Sequence, residues 1–343
     1  MCAELPKHRA RIAEIAKLAG VGTATVDRVL NDRVNVRETT RQRVFQARDA
    51  IESGAAPQER VRPWRLKVFL PGESGPSTDY LAKNFQKHGS RGNATIECVF
   101  TAKMEPAALA RHLVACGGQG IDAVAFQALD DPRVHHAVEE LKVLGIPCLS
   151  IMSGLQNNDL IGFVGIDNRA AGRTAAYMMG RLTRNDGAVL IVTGGQLYRG
   201  HEDREIGFRS ALRGAFPHIQ EAIVCSGQDD IEGNYNAASN ILKTRNDIIG
   251  IYNLGGGNEG VANALRDSGL AEEIVYIGHN LSRKTRSYLL DGTMDIVLHV
   301  DVTQVAERAV EFMVSHLERR SFENPLLPTR LITRENTDGE RFS

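Results

Sequence analysis

Five residues within a span of six, Thr23, Ala24, Thr25, Asp27 and Arg28, carry the most specific chemistry in this sequence. Short polar side chains with one long cation, set at helical spacing, offer hydrogen bonds to base edges in a major groove, where arginine takes guanine bidentately. Asp27 is the odd member, because a carboxylate repels phosphate unless it accepts a hydrogen bond from a cytosine amino group. A second constellation is Gly255, Gly257 and Gly260 in LGGGNEGVANAL, which has G-x-G-x-x-G spacing after a strand-like run and before a helical one. That is the context of a dinucleotide site, and an acidic residue should then end the next strand. The run EIVYIGHN ends in His279 and Asn280 instead. Glycines that let the backbone approach a small ligand explain the run equally well. An NAD-binding enzyme, or a sugar sensor without DNA binding, is therefore the competing function, and no cofactor or metal is expected. A serine hydrolase is excluded for want of a G-x-S-x-G elbow.

The first constellation needs a helix to present it. Ile12, Ile15, Ala16 and Ala19 recur at helical spacing, Gly20 breaks the period, and Val26, Val29 and Leu30 resume it. This is a helix-turn-helix, followed by a third helix over roughly 37–51 that carries Thr40. The charge agrees with a nucleic-acid partner. Residues 1–66 hold 13 Lys plus Arg against 8 Asp plus Glu, whereas the whole chain is −1. The plainer reading is a small three-helix packing unit that never touches DNA.

These residues resemble the DNA-reading domain of the LacI family of bacterial transcription regulators. The matching runs are AGVG at 19–22, TVDRVLN at 25–31 and TTRQRV at 39–44. Two letters depart from the family pattern: a capping serine is Gly22, and the serine before the arginine is Asp27. Gly is a tolerable N-cap. The resemblance implies double-stranded operator DNA as partner and a homodimer on a roughly palindromic site. Thr23, Ala24 and Arg28 would read bases with Asp27 as modifier, while Thr25, Thr40 and Arg60, Arg62 or Arg65 would meet phosphates. The family's minor-groove hinge leucine has no counterpart between Ser53 and Arg65.

At 343 residues and 42% hydrophobic, the chain is long enough for two or three packed domains. No run approaches the ~18–20 apolar residues of a membrane span, and the N-terminus has no apolar segment followed by a cleavage site. A cytoplasmic location and no membrane partner are expected. Lacking that segment and carrying a helix-turn-helix, the chain is not expected to be an extracytoplasmic solute-binding protein. Five cysteines without C-x-x-C spacing exclude a disulfide framework or zinc ribbon.

After residue 65, short apolar runs alternate with helical segments, the pattern of parallel sheets with crossover helices. The runs RLKVFLP, ATIECVF, IDAVAFQ and IPCLSIM make a first lobe of four strands. FVGIDNRAAG then leads into a long helix capped by Asp167 or Asn168. GAVLIVTGG, AIVCSG, IIGIYNL and EIVYIGH make a second lobe, MDIVLHV returns toward the first, and PTRLITRE closes as a strand. The resemblance extends to this half: the expected fold is α + α/β, a helix-turn-helix head before a bilobed, type I periplasmic-binding-protein-like domain. The expected division is a head over 1–52, a linker over 53–65, and an effector domain over 66–343. Within it, lobe one takes about 66–160 plus 301–343, and lobe two about 166–298.

Open α/β sheets bind ligands beyond the carboxyl ends of their strands. The candidate ligand residues are accordingly Ser74, Ser77, Gln127 and Met152 on lobe one, and Arg204, Asn253, His279 and Asn280 on lobe two. By the resemblance, Arg204 in DREIGF matches a ligand-binding arginine, and Asn280 stands where relatives carry an acid. Met152 stands where sugar-binding relatives often have a carboxylate. With both acceptor-only groups replaced, an anionic effector such as a sugar acid or sugar phosphate fits better than a neutral hexose. The plainer reading of Arg204 is an ion pair with Asp203 or Glu205. His135 and His136 are expected on an exposed helix without a special role, and His279 and His299 as ordinary strand-end histidines. The sum is a non-enzymatic regulator, a repressor switched by a small metabolite.

Overall fold

The computed structural model describes residues 12–31, 33, 36, 38–52, 62–72, 74–91, 93–102, 105–195, 198–323 and 326–338. It divides into two compact units, Met1–Pro63 and Trp64–Ser343. Most of the expected linker, with Arg60, lies outside the described residues. Among the described residues, no helix is long and apolar enough to cross a membrane.

The first unit is built from α1 (Ile12–Ala19), α2 (Thr23–Leu30) and α3 (Glu38–Glu52). Its core is small: Ile15, Ala16 and Ala19 of α1, Val26 and Val29 of α2, and Val44 and Ala47 of α3. These are the periodic apolar positions, so burying them turns the opposite face of α2 outward. Gly20 makes the tight turn with φ +62°, a left-handed conformation that costs glycine little. Arg43 on α3 donates to the Ala19 carbonyl, satisfying one of the open carbonyls at the end of α1.

The second unit contains two sheets. Lobe one holds β1 (Trp64–Pro71), α4 (Pro76–Arg91), β2 (Ala94–Thr101), α5 (Pro106–Ala115), β3 (Ala123–Phe126), α6 (Pro132–Val143), β4 (Cys148–Ile151) and β5 (Gly162–Val164). The sheet order is β2-β1-β3-β4-β5, and every pairing is parallel. Lobe two holds α7 (Asn168–Leu182), β6 (Gly187–Thr193), α8 (Arg199–Ala215), β7 (Ile219–Ser226), α9 (Ile231–Thr244), β8 (Ile248–Asn253), α10 (Asn258–Ser268), β9 (Val275–His279), α11 (Arg283–Leu290) and β10 (Ile296–His299). Then come α12 (Val302–Leu317), packed against α4, and β11 (Arg330–Ile332). The second sheet runs β11-β10-β9-β8-β6-β7, parallel except for β11 against β10. β1, β3, β4 and β6 are buried on both faces, as expected for parallel strands covered by helices.

Three sequence expectations are corrected. Among the described residues lobe one has five strands, because the three residues of β5 are too few for a periodic signal and are defined by pairing with β4. MDIVLHV does not return to lobe one: β10 pairs with β9, and β11 joins it there, leaving α12 as the piece of 301–343 that packs on lobe one. Arg65 is not a linker cation. It lies in β1, where its guanidinium donates to the Gln119 carbonyl. The chain therefore crosses between lobes after β5, before α12 and before β11, and two of these crossings are bridged by Ile166 beside Leu327.

Candidate functional site

In the first unit, Thr23, Ala24 and Arg28 are exposed on α2, while Thr25 and Asp27 are half-buried. Thr40 is half-buried on α3. Gly22 caps α2 without a side-chain hydrogen bond, leaving the first backbone N–H groups of that helix open. Asp27 is held from within its own unit. Its Oδ1 accepts from Asn31 Nδ2 at 2.8 Å, and Arg33 Nη1 lies 3.8 Å from Oδ2.

In the second unit, the loops beyond the carboxyl ends of both sheets enclose a cavity of about 540 Å³. Ser74, Ser77, Gln127 and Met152 line it from lobe one, and Arg204 and Asn280 from lobe two. Met152 and Asn280 turn the chain sharply at the ends of β4 and β9 with φ of +63° and +67°, conformations that non-glycine residues seldom adopt.

Arg204 is only 7% exposed. Its Nε donates to Asn168 Oδ1 at 2.8 Å and its Nη1 to the Leu254 carbonyl, so two edges of the guanidinium are fixed. Nη2 has no acceptor among the described residues. The ion pair with Asp203 or Glu205 does not form: Asp203 meets Arg169 and Arg199, and Glu205 meets Arg209. Burial pushes the Arg204 pKa down, with Tyr252 and Asp229 opposing.

Two expected ligand residues stand behind the wall instead of in it. Asn253 is fully buried and donates to the Gly256 carbonyl and to Asn258 Oδ1. His279 is 1% exposed with Nε2 2.8 Å from the Tyr252 hydroxyl. Burial, then Arg204 and His201, hold its pKa well below the ordinary value, so it is a neutral partner of Tyr252. Both are the last residues of their strands, whereas the cavity is lined by the loops and helices beyond the strands. His135 also departs from expectation: it is half-buried, with Nε2 2.5 Å from Asp130 Oδ1. Asp130 Oδ2 in turn lies 3.7 Å from Arg199 Nη1, so this ion pair spans the two lobes beside the cavity.

Sequence reasoning missed a carboxylate. Asp229, in the loop after β7, lines the cavity, and its Oδ1 accepts the Gly256 N–H at 2.9 Å. His201 Nε2 lies 3.8 Å from its Oδ2. The signal was available, since 227–231 is itself a strand exit; but β7 is the edge strand, and its loop reaches past the exit of its neighbour β6 to the loop after β8. Gly227 donates to the Thr193 carbonyl at 3.0 Å. Asp229 and the neighbouring Gln228 both have φ of +57°. Asp230 and Glu259 also line the cavity, so the premise of a site without carboxylates does not hold. Tyr198 stands nearby, its hydroxyl pushed up to about 12 by burial and then by Asp229.

The glycine run is part of this wall. A Cβ on Gly255 would stand 2.1 Å from Asp229 Oδ1 and 2.5 Å from the His201 ring. A side chain there would displace the Asp229 carboxylate and the His201 ring from their present positions, so the packing of this wall accounts for the glycine with no pyrophosphate. The arrangement offers a donor-only guanidinium and an acceptor-only carboxylate from lobe two, hydroxyls of Ser74, Ser77 and Thr78 from lobe one, and the apolar side chains of Leu81, Ile231 and Val302. Such a mixture suits a small molecule with several hydroxyls and an apolar face.

Comparison with known proteins gives two family matches. Residues 68–321 match the family described as periplasmic binding protein domain, and residues 11–52 match bacterial regulatory proteins, lacI family. The HTH-type transcriptional regulator DegA of Bacillus subtilis is 25% identical over 239 residues, 67% of this chain and 69% of that protein. The HTH-type transcriptional regulator AglR of Rhizobium meliloti is 24% identical over 244 residues, 68% of this chain and 66% of that protein. The chain thus spans about two-thirds of the length of these relatives. Among solved structures, an ABC transporter solute-binding protein from Burkholderia graminis in complex with D-arabinose has a TM-score of 0.75 at 17% identity. The match covers 82% of this chain and 99% of that one, and it shows the fold alone.

Proposed function

The chain belongs to the periplasmic binding protein domain family, with a domain of the bacterial regulatory proteins, lacI family, ahead of it in sequence, and from that premise we propose that it is a cytoplasmic repressor controlled by a neutral sugar. The relatives' names are those of regulators, which sets aside the dinucleotide enzyme. A homodimer would place two α2 helices in successive major grooves of a roughly palindromic operator. A ligand held between the lobes would favour one lobe arrangement, and operator affinity would change with it by linkage.

The observation that carries the ligand reading is the pairing of Arg204 and Asp229 in one cavity. A sugar hydroxyl both donates and accepts, so it satisfies both groups. A sugar acid or phosphate would place its charge beside Asp229 and Asp230, Glu259 being already paired with Lys284, which also lines the cavity, and this opposes the anionic effector expected from the sequence. The D-arabinose held by the similar solute-binding protein is likewise a neutral sugar.

Thermal unfolding against neutral sugars, polyols, sugar acids and sugar phosphates tests this. A ligand at 100 times its Kd stabilises by about 2.7 kcal/mol. A neutral sugar should raise the melting temperature alone among the classes. A rise with acidic sugars only would overturn the neutral assignment, and a rise with NAD only would reopen the enzyme.

A further inference from the structure

We propose that Asp27 reads the exocyclic amino group of a cytosine next to the base taken by Arg28. This rests on the reading of the first unit as a DNA-binding head and adds a base to its operator. Thr23 and Asp27 stand four residues apart on α2, as do Ala24 and Arg28, so these two adjacent rows lie on the side away from buried Val26 and Val29. Asp27 is 42% exposed at its side chain, which places the carboxylate at the edge of that face.

Its surroundings prepare it for an acceptor role. Asn31 Nδ2 donates both to Asp27 Oδ1, at 2.8 Å, and to the Asp27 carbonyl, at 2.9 Å, which fixes the side chain against its helix. Oδ2 faces Arg33 Nη1 at 3.8 Å, beyond hydrogen-bond reach, so it keeps its lone pairs while a cation offsets its charge. A carboxylate so held does not collapse onto Arg28, the arginine of α2, and it approaches DNA without full repulsion.

The groove then selects the donor. In a major groove the donors are cytosine N4 and adenine N6. Adenine N6 lies between two acceptors, its own N7 and thymine O4, and both repel a carboxylate. Cytosine N4 has an acceptor on one side only, so cytosine is preferred. Adjacent helix residues point about 100° apart, so Asp27 and Arg28 reach different base pairs.

The test is selection of operators from a randomised pool with the full chain and with its Asp27→Asn and Asp27→Ser variants, serine being the residue of the lacI pattern. For the parent, one position of each half-site should be cytosine. In both variants that preference should fall by about tenfold or more, while the base read by Arg28 stays fixed. Circular dichroism melts confirm that both variants fold. Unchanged preferences with a uniform rise in affinity for all sequences would overturn the proposal and make Asp27 a purely electrostatic brake. Selection of no motif by the parent would instead defeat the DNA-binding reading itself.

Discussion

The two units solve the placing of functional side chains in opposite ways. In the first, a handful of buried aliphatic residues hold three short helices, and the candidate base readers are exposed on one face of α2. In the second, Arg204 is buried at the meeting of two lobes, and the groups around it arrive from loops more than a hundred residues apart. An exposed reader functions by what it meets, so removing it alters recognition and little else. A buried one is also part of the framework, so removing it alters both.

That difference makes a ranked set of expectations. The largest effect belongs to Arg204→Ala, which should weaken effector binding about 100-fold, the size of one or two hydrogen bonds to a charged group. The change also leaves Asn168 Oδ1 and the Leu254 carbonyl without their donor, which costs about 1–3 kcal/mol for each such buried group. Effector affinity by calorimetric titration and the melting temperature should therefore fall together, with operator affinity unchanged. A variant that binds effector as before would place the pocket elsewhere.

Arg28→Ala should have the next largest effect, about 1–3 kcal/mol of discrimination between operator and random DNA. Because Arg28 is exposed and outside the core, the melting temperature should hold. Competition binding checks the first point and calorimetry the second; a fall in stability with intact discrimination would reverse the roles assigned to the two units.

The smallest effect is expected of Arg199→Ala. Arg199 joins Asp130 of lobe one to Asp203 of α8 at 3.7 Å on each side, and part-exposed pairs of this kind contribute about 0.2–1 kcal/mol. Effector affinity should change about two- to fivefold, readable by the same titration. A loss as large as that of Arg204→Ala would mean that the inter-lobe contact, and not the cavity, dominates binding.

The same contrast explains what could be read from the sequence. The head is local: the apolar period of α1 and α2, the turn at Gly20 and the polar stripe all lie within about twenty residues, so helices and readers emerge together. The alternating pattern of the second unit also yields its strands and helices, apart from β5, which pairing alone defines. The cavity is non-local. Of the residues picked from strand exits, Ser74, Ser77, Gln127, Met152, Arg204 and Asn280 line the cavity. Strand exits could not show that Asn253 and His279 end inside the sheet, since a one-residue difference in strand length decides it. Nor could they show that the loop of an edge strand carries Asp229 over to Gly256.

Operator-bound protein, titrated with the sugar that raises its melting temperature and monitored by fluorescence anisotropy of the DNA, tests the central claim most directly. The account predicts release of DNA at sugar concentrations that match the shift in the melt, and no release from Arg204→Ala. A sugar that stabilises the second unit while leaving operator affinity unchanged would contradict it, because the cavity and the head would then be independent.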